Sequence, residues 1–148
     1  YINTGVWSKK ALAEAKRYGE AYEAASSADK NHSYIPQEFT FKPETSYVHI
    51  TSNNTIYGTE YPDFPKFDVP VICDMSSDIL SRKVNVADFD LIYAGAQKNL
   101  GPAGVVIVNA KNLSWQLPMK ICPQCWNIPP LPKTILFTTL RPYSAFIW

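Results

Sequence analysis

Long apolar runs are missing from this sequence of 148 residues. No stretch approaches the roughly 20 residues that a membrane-spanning helix needs. The opening residues also lack the basic-then-apolar order of a secretion signal. An excess of one charge sign is missing as well, because the net charge is only +1. Since a nucleic-acid or anionic-lipid partner requires a basic face, we expect a soluble protein that binds neither nucleic acid nor membrane.

Cysteine is scarce, and its three positions do not suit a disulfide scaffold. Cys122 and Cys125 form a CxxC pair, but a tetrahedral zinc site needs two further ligands. The two histidines, His32 and His49, stand far from that pair in unrelated contexts. We therefore predict no metal site, and a zinc or redox module remains the weakest functional alternative. Reduced thiols predict a cytoplasmic location, with a plastid as the alternative if a transit peptide preceded Tyr1.

Apolar residues make up 46% of the chain and charged residues 18%, which is the composition of one globular domain. An amphipathic pattern from Ser8, a candidate N-cap, to Gly19 predicts a short helix. Strands are predicted by five short runs, "AYEAASS", "SYVHITSN", "VPVICDMSS", "FDLIYAGAQ" and "AGVVIVNA". Their spacing favours an α/β fold with a mostly parallel central sheet flanked by helices.

Polar residues follow three of the predicted strands: Thr55, Asp74 and Lys98. Sheets of this kind bind ligands at the carboxyl ends of their strands. An amine, a carboxylate and hydroxyls suit pyridoxal phosphate, whose aldehyde needs a lysine and whose pyridine nitrogen needs a carboxylate. Each residue also has a plainer explanation, as a solvated lysine or a capping aspartate, so spacing alone leaves both interpretations open. His49, inside an apolar strand, is interpreted as a buried histidine with a hydrogen-bond partner.

Three longer stretches resemble a known family. They are "NTGVWSKKALAEAKRYG", "ITSNNTIYGTEYPDFP" and "ICDMSSDILSRKVNVADFDLIYAGAQKNLGPAGVVIV". These stretches resemble the phosphoserine aminotransferases, class-V enzymes of fold type I that use pyridoxal phosphate. The motifs "DMSSDILSR" and "AGAQKNLGPAG" are specific to that family. The resemblance implies that residues 1–113 are part of the large, cofactor-binding domain of such an enzyme.

The resemblance also implies roles for five residues. Lys98 would hold the cofactor through a Schiff base and act as acid and base, and Asp74 would pair with the pyridine nitrogen. Thr55 would hydrogen-bond the phenolic oxygen, and Gln97 would bind the phosphate. Trp7 would stack on the cationic ring, which is a favourable contact. Family members are homodimers that transfer an amino group from glutamate to 3-phosphohydroxypyruvate and so make O-phosphoserine for serine biosynthesis.

Residues 114–148 depart from the family pattern. They contain six prolines and no acidic residue, and proline at this density opposes both helices and strand ladders. Family members read like "MLEYSTVAKNDSLYNTPP" at this place. One permitted set of codons for the first part of that peptide, read one nucleotide late, spells "CWNIPPLPKT", which is the sequence of residues 125–134. We therefore expect a frame-shifted, non-family tail over residues 114–148.

The resemblance leaves two interpretations of function. The first is a truncated phosphoserine aminotransferase, because family members are much longer and carry further substrate-binding residues outside the matched part. The alternative is a non-catalytic fragment of the cofactor domain, which folds or pairs with full-length subunits without turnover.

Overall fold

The computed structural model describes residues 1–111 and the strand at residues 136–139. In chain order its helix and strands are β1 (Ile2–Asn3), α1 (Val6–Ala15), β2 (Ala25–Ser26), β3 (Val48–Thr51), β4 (Asn53–Asn54), β5 (Thr59–Glu60), β6 (Val71–Asp74), β7 (Leu91–Gly95), β8 (Val105–Ala110) and β9 (Leu136–Thr139). Short 3-10 helices occupy Ala28–Lys30 and Val86–Asp88. The central sheet has five strands in the order β3-β6-β7-β8-β9.

The central sheet is mostly parallel, as the sequence predicts. The strands β3, β6 and β7 pair in parallel, whereas β8 pairs antiparallel with both β7 and β9. The strand β9 therefore runs in the same direction as the first three, so four of the five strands share one direction. Long connections join the parallel strands, because a parallel partner cannot be reached through a tight hairpin. The predicted α/β class is confirmed.

The two faces of this sheet differ in chemistry because side chains alternate along each strand. One face belongs to a hydrophobic core cluster whose buried members are Ile2, Val48, Ile50, Tyr61, Val71, Cys73, Met75, Phe89 and Ile92. The opposite face, called here the polar face, carries His49, Thr51, Asp74 and Tyr93. Thr51, Asp74 and Tyr93 stand side by side in register on β3, β6 and β7. These polar side chains therefore lie together on the face of the sheet opposite the hydrophobic core.

The helix α1 starts before Ser8, so the predicted N-cap was wrong. Gly5 is the N-cap, and Ser8 lies inside the first turn. Its Oγ accepts hydrogen bonds from the backbone N–H groups of Thr4 and Gly5, both at 2.9 Å. A third-position side chain that reaches back can close a helix start as well as an N-cap does. The predicted stop is closer to the structure, since Gly19 N–H donates to the carbonyl of Ala15, the last helical residue, at 3.2 Å.

The remaining sequence-based expectations concern a short strand, the tail, membrane helices and metal sites. The predicted strand "AYEAASS" is reduced to β2, because its only ladder partner is the equally short β1. The pair Cys122 and Cys125 lies outside the described residues. So does the expected tail apart from β9, whose pairing with β8 runs against the expectation that this proline-rich segment forms no strand ladder. Within residues 1–111 no helix is long and apolar enough to cross a bilayer. The same part of the chain contains no cluster of three His, Cys, Asp or Glu side chains suited to a metal ion.

Close packing at the helix start predicts that Gly5→Ala destabilises the fold. A Cβ atom at Gly5 would lie 2.7 Å from Asn54 Oδ1. Asn54 is buried, and its Nδ2 donates to Thr4 Oγ1 at 2.9 Å, so the amide cannot move aside freely. We expect the free energy of unfolding in urea to fall by about 1–3 kcal/mol. The matched control is Gly19→Ala, which has open space around it and should change stability by less than about 0.5 kcal/mol. Equal losses in both variants would contradict this account.

Candidate active site

A cleft opens at the carboxyl ends of β3, β6 and β7, which is where the sequence predicts the functional residues. Eight residues line it: Trp7, Thr51, Asn53, Asp74, Ser76, Ser77, Gln97 and Lys98. Four of the five predicted site residues are among them. The fifth, Thr55, joins the site through a hydrogen bond to Lys98. The structure therefore brings together residues that are far apart in the sequence.

Lys98 lies on the loop between β7 and β8, at residues 96–104. Both ends of this loop are tied together, since Ala96 N–H donates to Val105 O at 2.9 Å. The Lys98 Nζ donates to Thr55 Oγ1 at 3.1 Å and lies 5.4 Å from the centroid of the Trp7 ring. The lysine itself remains exposed. Its amine is thus oriented by a hydroxyl and an aromatic face but stays accessible to a reactant.

Trp7 forms one wall of the cleft. It is carried by α1, which contacts β1 and β3 and so brings the ring to the strand ends. The Nζ of Lys10, one helical turn later, lies 4.8 Å from the same ring. Two ammonium groups, those of Lys10 and Lys98, therefore lie close to one indole. Because the negative face of an indole attracts positive charge, this wall suits a cationic ligand.

Asp74 is the last residue of β6 and is only 7% exposed. Its Oδ1 accepts two hydrogen bonds from Ser76, one from the backbone N–H at 2.9 Å and one from Oγ at 2.6 Å. Burial raises the pKa of this carboxyl group, while the bonds from Ser76 and Tyr93 and the charge of Lys98 oppose the rise. A carboxylate that has lost most of its water gains more from a nearby cation than an exposed one does. Asp74 is therefore suited to receive a positively charged group.

His49 and Tyr93 extend the site along the polar face. The Nε2 of His49 lies 2.8 Å from the hydroxyl of Tyr93, which confirms the interpretation of a buried histidine with a partner. The Tyr1 ring stacks on the imidazole with centroids 4.7 Å apart. Burial lowers the pKa of His49 to about 3, so the imidazole is neutral near pH 7.

Sequence reasoning missed several residues of the cleft. Thr51 and Ser76 were assigned no role, although Ser76 stands inside the "DMSSD" motif. The Thr51 Oγ1 is buried and has no hydrogen-bond partner among residues 1–111. Strand alternation was an available signal, because Thr51 follows His49 by two positions and therefore shares its face.

A second and larger cavity is not the candidate site. It measures about 250 Å³ and is lined mainly by residues 20–24 and 41–47, together with Tyr1. Two of its charged side chains, Lys42 and Glu20, already form an ion pair with each other at 2.6 Å. None of the five predicted site residues lines it. Size alone would choose this cavity, but its chemistry does not bring an amine, a buried carboxylate and hydroxyls together.

Comparison with known proteins points to one family. The model of the family described as "Aminotransferase class-V" matches residues 1–126. A phosphoserine aminotransferase of Desulfosudis oleivorans is 58% identical over 114 residues, which is 76% of this chain and 32% of that protein. The chain therefore spans about a third of the length of the curated relatives that it matches.

Solved structures agree with the sequence comparison. The phosphoserine aminotransferase of Bacillus circulans subsp. alkalophilus superposes with a TM-score of 0.70 at 50% identity, over 73% of this chain and 31% of that one. The enzyme of Trichomonas vaginalis, solved with pyridoxal phosphate bound, gives a TM-score of 0.63 at 36% identity. That alignment covers 73% of this chain and 33% of the other.

Proposed function

Because this chain belongs to the class-V aminotransferases, we propose that its cleft binds pyridoxal phosphate and forms part of a phosphoserine aminotransferase. The observation that carries the proposal is the presence of the Lys98 amine and the buried Asp74 carboxylate in one cleft. The proposed reaction transfers an amino group from glutamate to 3-phosphohydroxypyruvate, which gives O-phosphoserine and 2-oxoglutarate. The names of the relatives, phosphoserine aminotransferases from several bacteria, support this choice of substrates.

The residues of the cleft fit this cofactor. Asp74 offers a buried anion to a protonated pyridine nitrogen, and the hydroxyls of Thr55 and Thr51 can donate to oxygen atoms. The enclosed space is small, about 50 Å³, against the roughly 300–1,000 Å³ of a typical small-molecule site. The described residues therefore contact only part of a cofactor, and the remaining contacts must come from elsewhere.

The proposed roles follow from position and charge. Pyridoxal phosphate, when bound, supplies an electron sink for the carbanion that forms at the substrate Cα. Lys98 would hold the aldehyde carbon and, once released, carry a proton with its free amine. Asp74 would keep the ring nitrogen positively charged, and Trp7 would cover one side of the ring and exclude water. Gln97, exposed at the cleft, would donate to the phosphate.

Chemical trapping tests the proposal. The chain is incubated with one equivalent of pyridoxal phosphate, reduced with borohydride, digested and analysed by mass spectrometry. We expect the reduced adduct to concentrate on the peptide that contains Lys98. Formation of 2-oxoglutarate from glutamate and 3-phosphohydroxypyruvate is then measured on the same preparation. An adduct spread evenly over the exposed lysines would overturn the assignment of the cofactor site.

The outcome of the second measurement also separates the two candidate functions. Adduct at Lys98 without formation of 2-oxoglutarate is the result expected for a non-catalytic fragment. Adduct with turnover supports a truncated but working aminotransferase.

We also propose a second copy of the chain as its partner, as the resemblance implies, and a cytoplasmic location, as the reduced thiols predict. A cleft that contacts only part of the cofactor supports a contribution from another subunit. Analytical ultracentrifugation with and without pyridoxal phosphate tests the assembly, and a monomer under both conditions would exclude it.

For the domain organisation we propose that residues 1–113 form the partial cofactor domain and residues 114–148 a frame-shifted tail. Alignments with curated relatives extend over 109 to 116 residues, which supports a boundary in this region, although the family model match reaches residue 126. Sequencing of the encoding DNA is decisive, because the proposal requires that a one-nucleotide shift restores a family-like reading after residue 113.

A further inference from the structure

Three polar side chains of the polar face, one on each of the strands β3, β6 and β7, form a connected row. Tyr93 stands directly beside Asp74 in the parallel register of β7 and β6, on the same face of the sheet, and its hydroxyl favours the ionised form of that carboxyl group. The Nε2 of His49, on β3, lies 2.8 Å from the same hydroxyl. Tyr93 therefore links the imidazole to the carboxylate within a largely buried layer.

The direction of the hydrogen bonds in this row follows from the chemistry of its end. An ionised carboxylate only accepts, so the Tyr93 hydroxyl beside it is oriented as a donor towards Asp74. The Tyr93 oxygen then accepts from Nε2–H of His49. This tautomer leaves Nδ1 without a proton, in agreement with the absence of a partner for Nδ1 among the described residues. The other tautomer would bury an N–H donor with no acceptor, which is costly.

We propose that His49 and Tyr93 are positioning residues that hold Asp74 in its ionised form, ready to face the protonated ring nitrogen of the cofactor. This inference rests on the proposed function of the cleft. Neither residue lines the cleft, so both act only through Asp74. The row provides donors to a carboxylate that has lost most of its water, and donors to the charged form favour that form.

Other titratable groups near the row do not replace His49 and Tyr93 in keeping Asp74 ionised. Asp74 is influenced by Lys98 from the loop, and its strand neighbour Cys73 lies on the opposite face. Tyr93 is influenced by Tyr1, whose ring covers His49. Lys98 is exposed, and its amine would be bonded to the cofactor. Its charge therefore cannot serve as a permanent partner of Asp74.

The test follows the titration of Asp74 by carbon-13 NMR of aspartate side chains in the cofactor-free chain, with the signal assigned through Asp74→Asn. In Tyr93→Phe the titration midpoint of Asp74 should rise by about one pH unit, because a hydrogen bond to a charged group is lost. The matched control is Tyr61→Phe. Tyr61 is fully buried, but it belongs to the core cluster, and its hydroxyl has no partner within residues 1–111. An unchanged midpoint in a folded Tyr93→Phe variant would overturn the proposal.

The histidine is tested by a pair of variants. His49→Leu removes the donor to Tyr93 and should raise the Asp74 midpoint in the same direction, by less than Tyr93→Phe. His49→Gln keeps an N–H donor and should restore most of the original value, which a purely structural role would not predict. Because this pair retains Tyr93, it remains informative if Tyr93→Phe does not fold. Equal Asp74 midpoints in His49→Leu and His49→Gln would show that the N–H donor of His49 has no effect on Asp74.

The titration also separates this inference from the function on which it rests. If the parent chain forms no adduct at Lys98, the cofactor assignment fails, whatever Asp74 does. If the adduct forms but substitutions at Tyr93 and His49 leave the Asp74 titration midpoint unchanged, the cofactor assignment stands and the positioning role fails.

Discussion

Lys98→Ala is expected to abolish covalent attachment of pyridoxal phosphate and leave the fold intact. The side chain is exposed and makes one hydrogen bond, to Thr55 at 3.1 Å, so its removal should change the free energy of unfolding by less than about 0.5 kcal/mol. Cofactor held by the parent chain at a hundred times its dissociation constant would stabilise it by about 2.7 kcal/mol. Thermal melts with and without pyridoxal phosphate should therefore show an upward shift for the parent chain and almost none for the variant.

The matched control for this experiment is Lys10→Ala. Lys10 is also an exposed lysine with its ammonium group near the Trp7 ring, at 4.8 Å compared with 5.4 Å for Lys98. It does not line the cleft that contains Asp74. Adduct formation and the thermal shift should therefore survive in Lys10→Ala. A comparable loss in both variants would show that the cofactor responds only to positive charge near Trp7.

Asp74→Asn is expected to change stability and cofactor affinity in opposite directions. Burial raises the pKa of Asp74 in the folded chain above its value in the unfolded chain. The folded state is therefore favoured by this group below the unfolded pKa, and that advantage is lost as pH rises through the folded pKa. At pH 7 the ionised carboxylate lowers the stability of the cofactor-free fold, and a neutral amide of the same shape should raise it. The gain should disappear as pH falls towards the ordinary pKa of aspartate, about 3.9.

The same substitution should weaken binding of pyridoxal phosphate by tenfold to a hundredfold, on the order of one charged hydrogen bond. Urea denaturation across pH measures the first effect, and equilibrium dialysis of the cofactor measures the second. Asp78→Asn is the control, because burial also raises the pKa of Asp78 but this residue does not line the cleft. Its substitution should leave cofactor affinity unchanged. Full affinity in Asp74→Asn would exclude a role for this carboxylate at the ring nitrogen.

Strand positions were predictable because burial on both faces leaves a direct trace in the sequence. The segments around Ile50, Cys73 and Ile92 are rich in apolar residues, and they are the parallel strands of the sheet. Apolar runs do not encode direction, however. The antiparallel return of β8 beside β7 depends on a loop short enough to bring the chain straight back, which only the structure shows.

The outer residues of the site were predictable, and the inner ones were not. Asp74 and Lys98 each stand where an apolar run stops, so their positions are visible in the sequence. Tyr93 lies inside a strand, and its link to Asp74 depends on which residues face each other across two strands. That register arises from packing of the whole sheet, and no local sequence pattern around Tyr93 predicts it.

The loop that carries Lys98 connects two neighbouring antiparallel strands, and hydrogen bonds from Ala96 to Val105 and from Gly101 to Ala96 close it. Its span is therefore fixed by the sheet. Removing or adding one residue in this loop would either exchange the two faces of β8 or move the Lys98 amine away from Thr55. Evolution should consequently tolerate new side chains at the rim of this turn far more readily than insertions or deletions, so that length, more than composition, marks relatives that still use the amine.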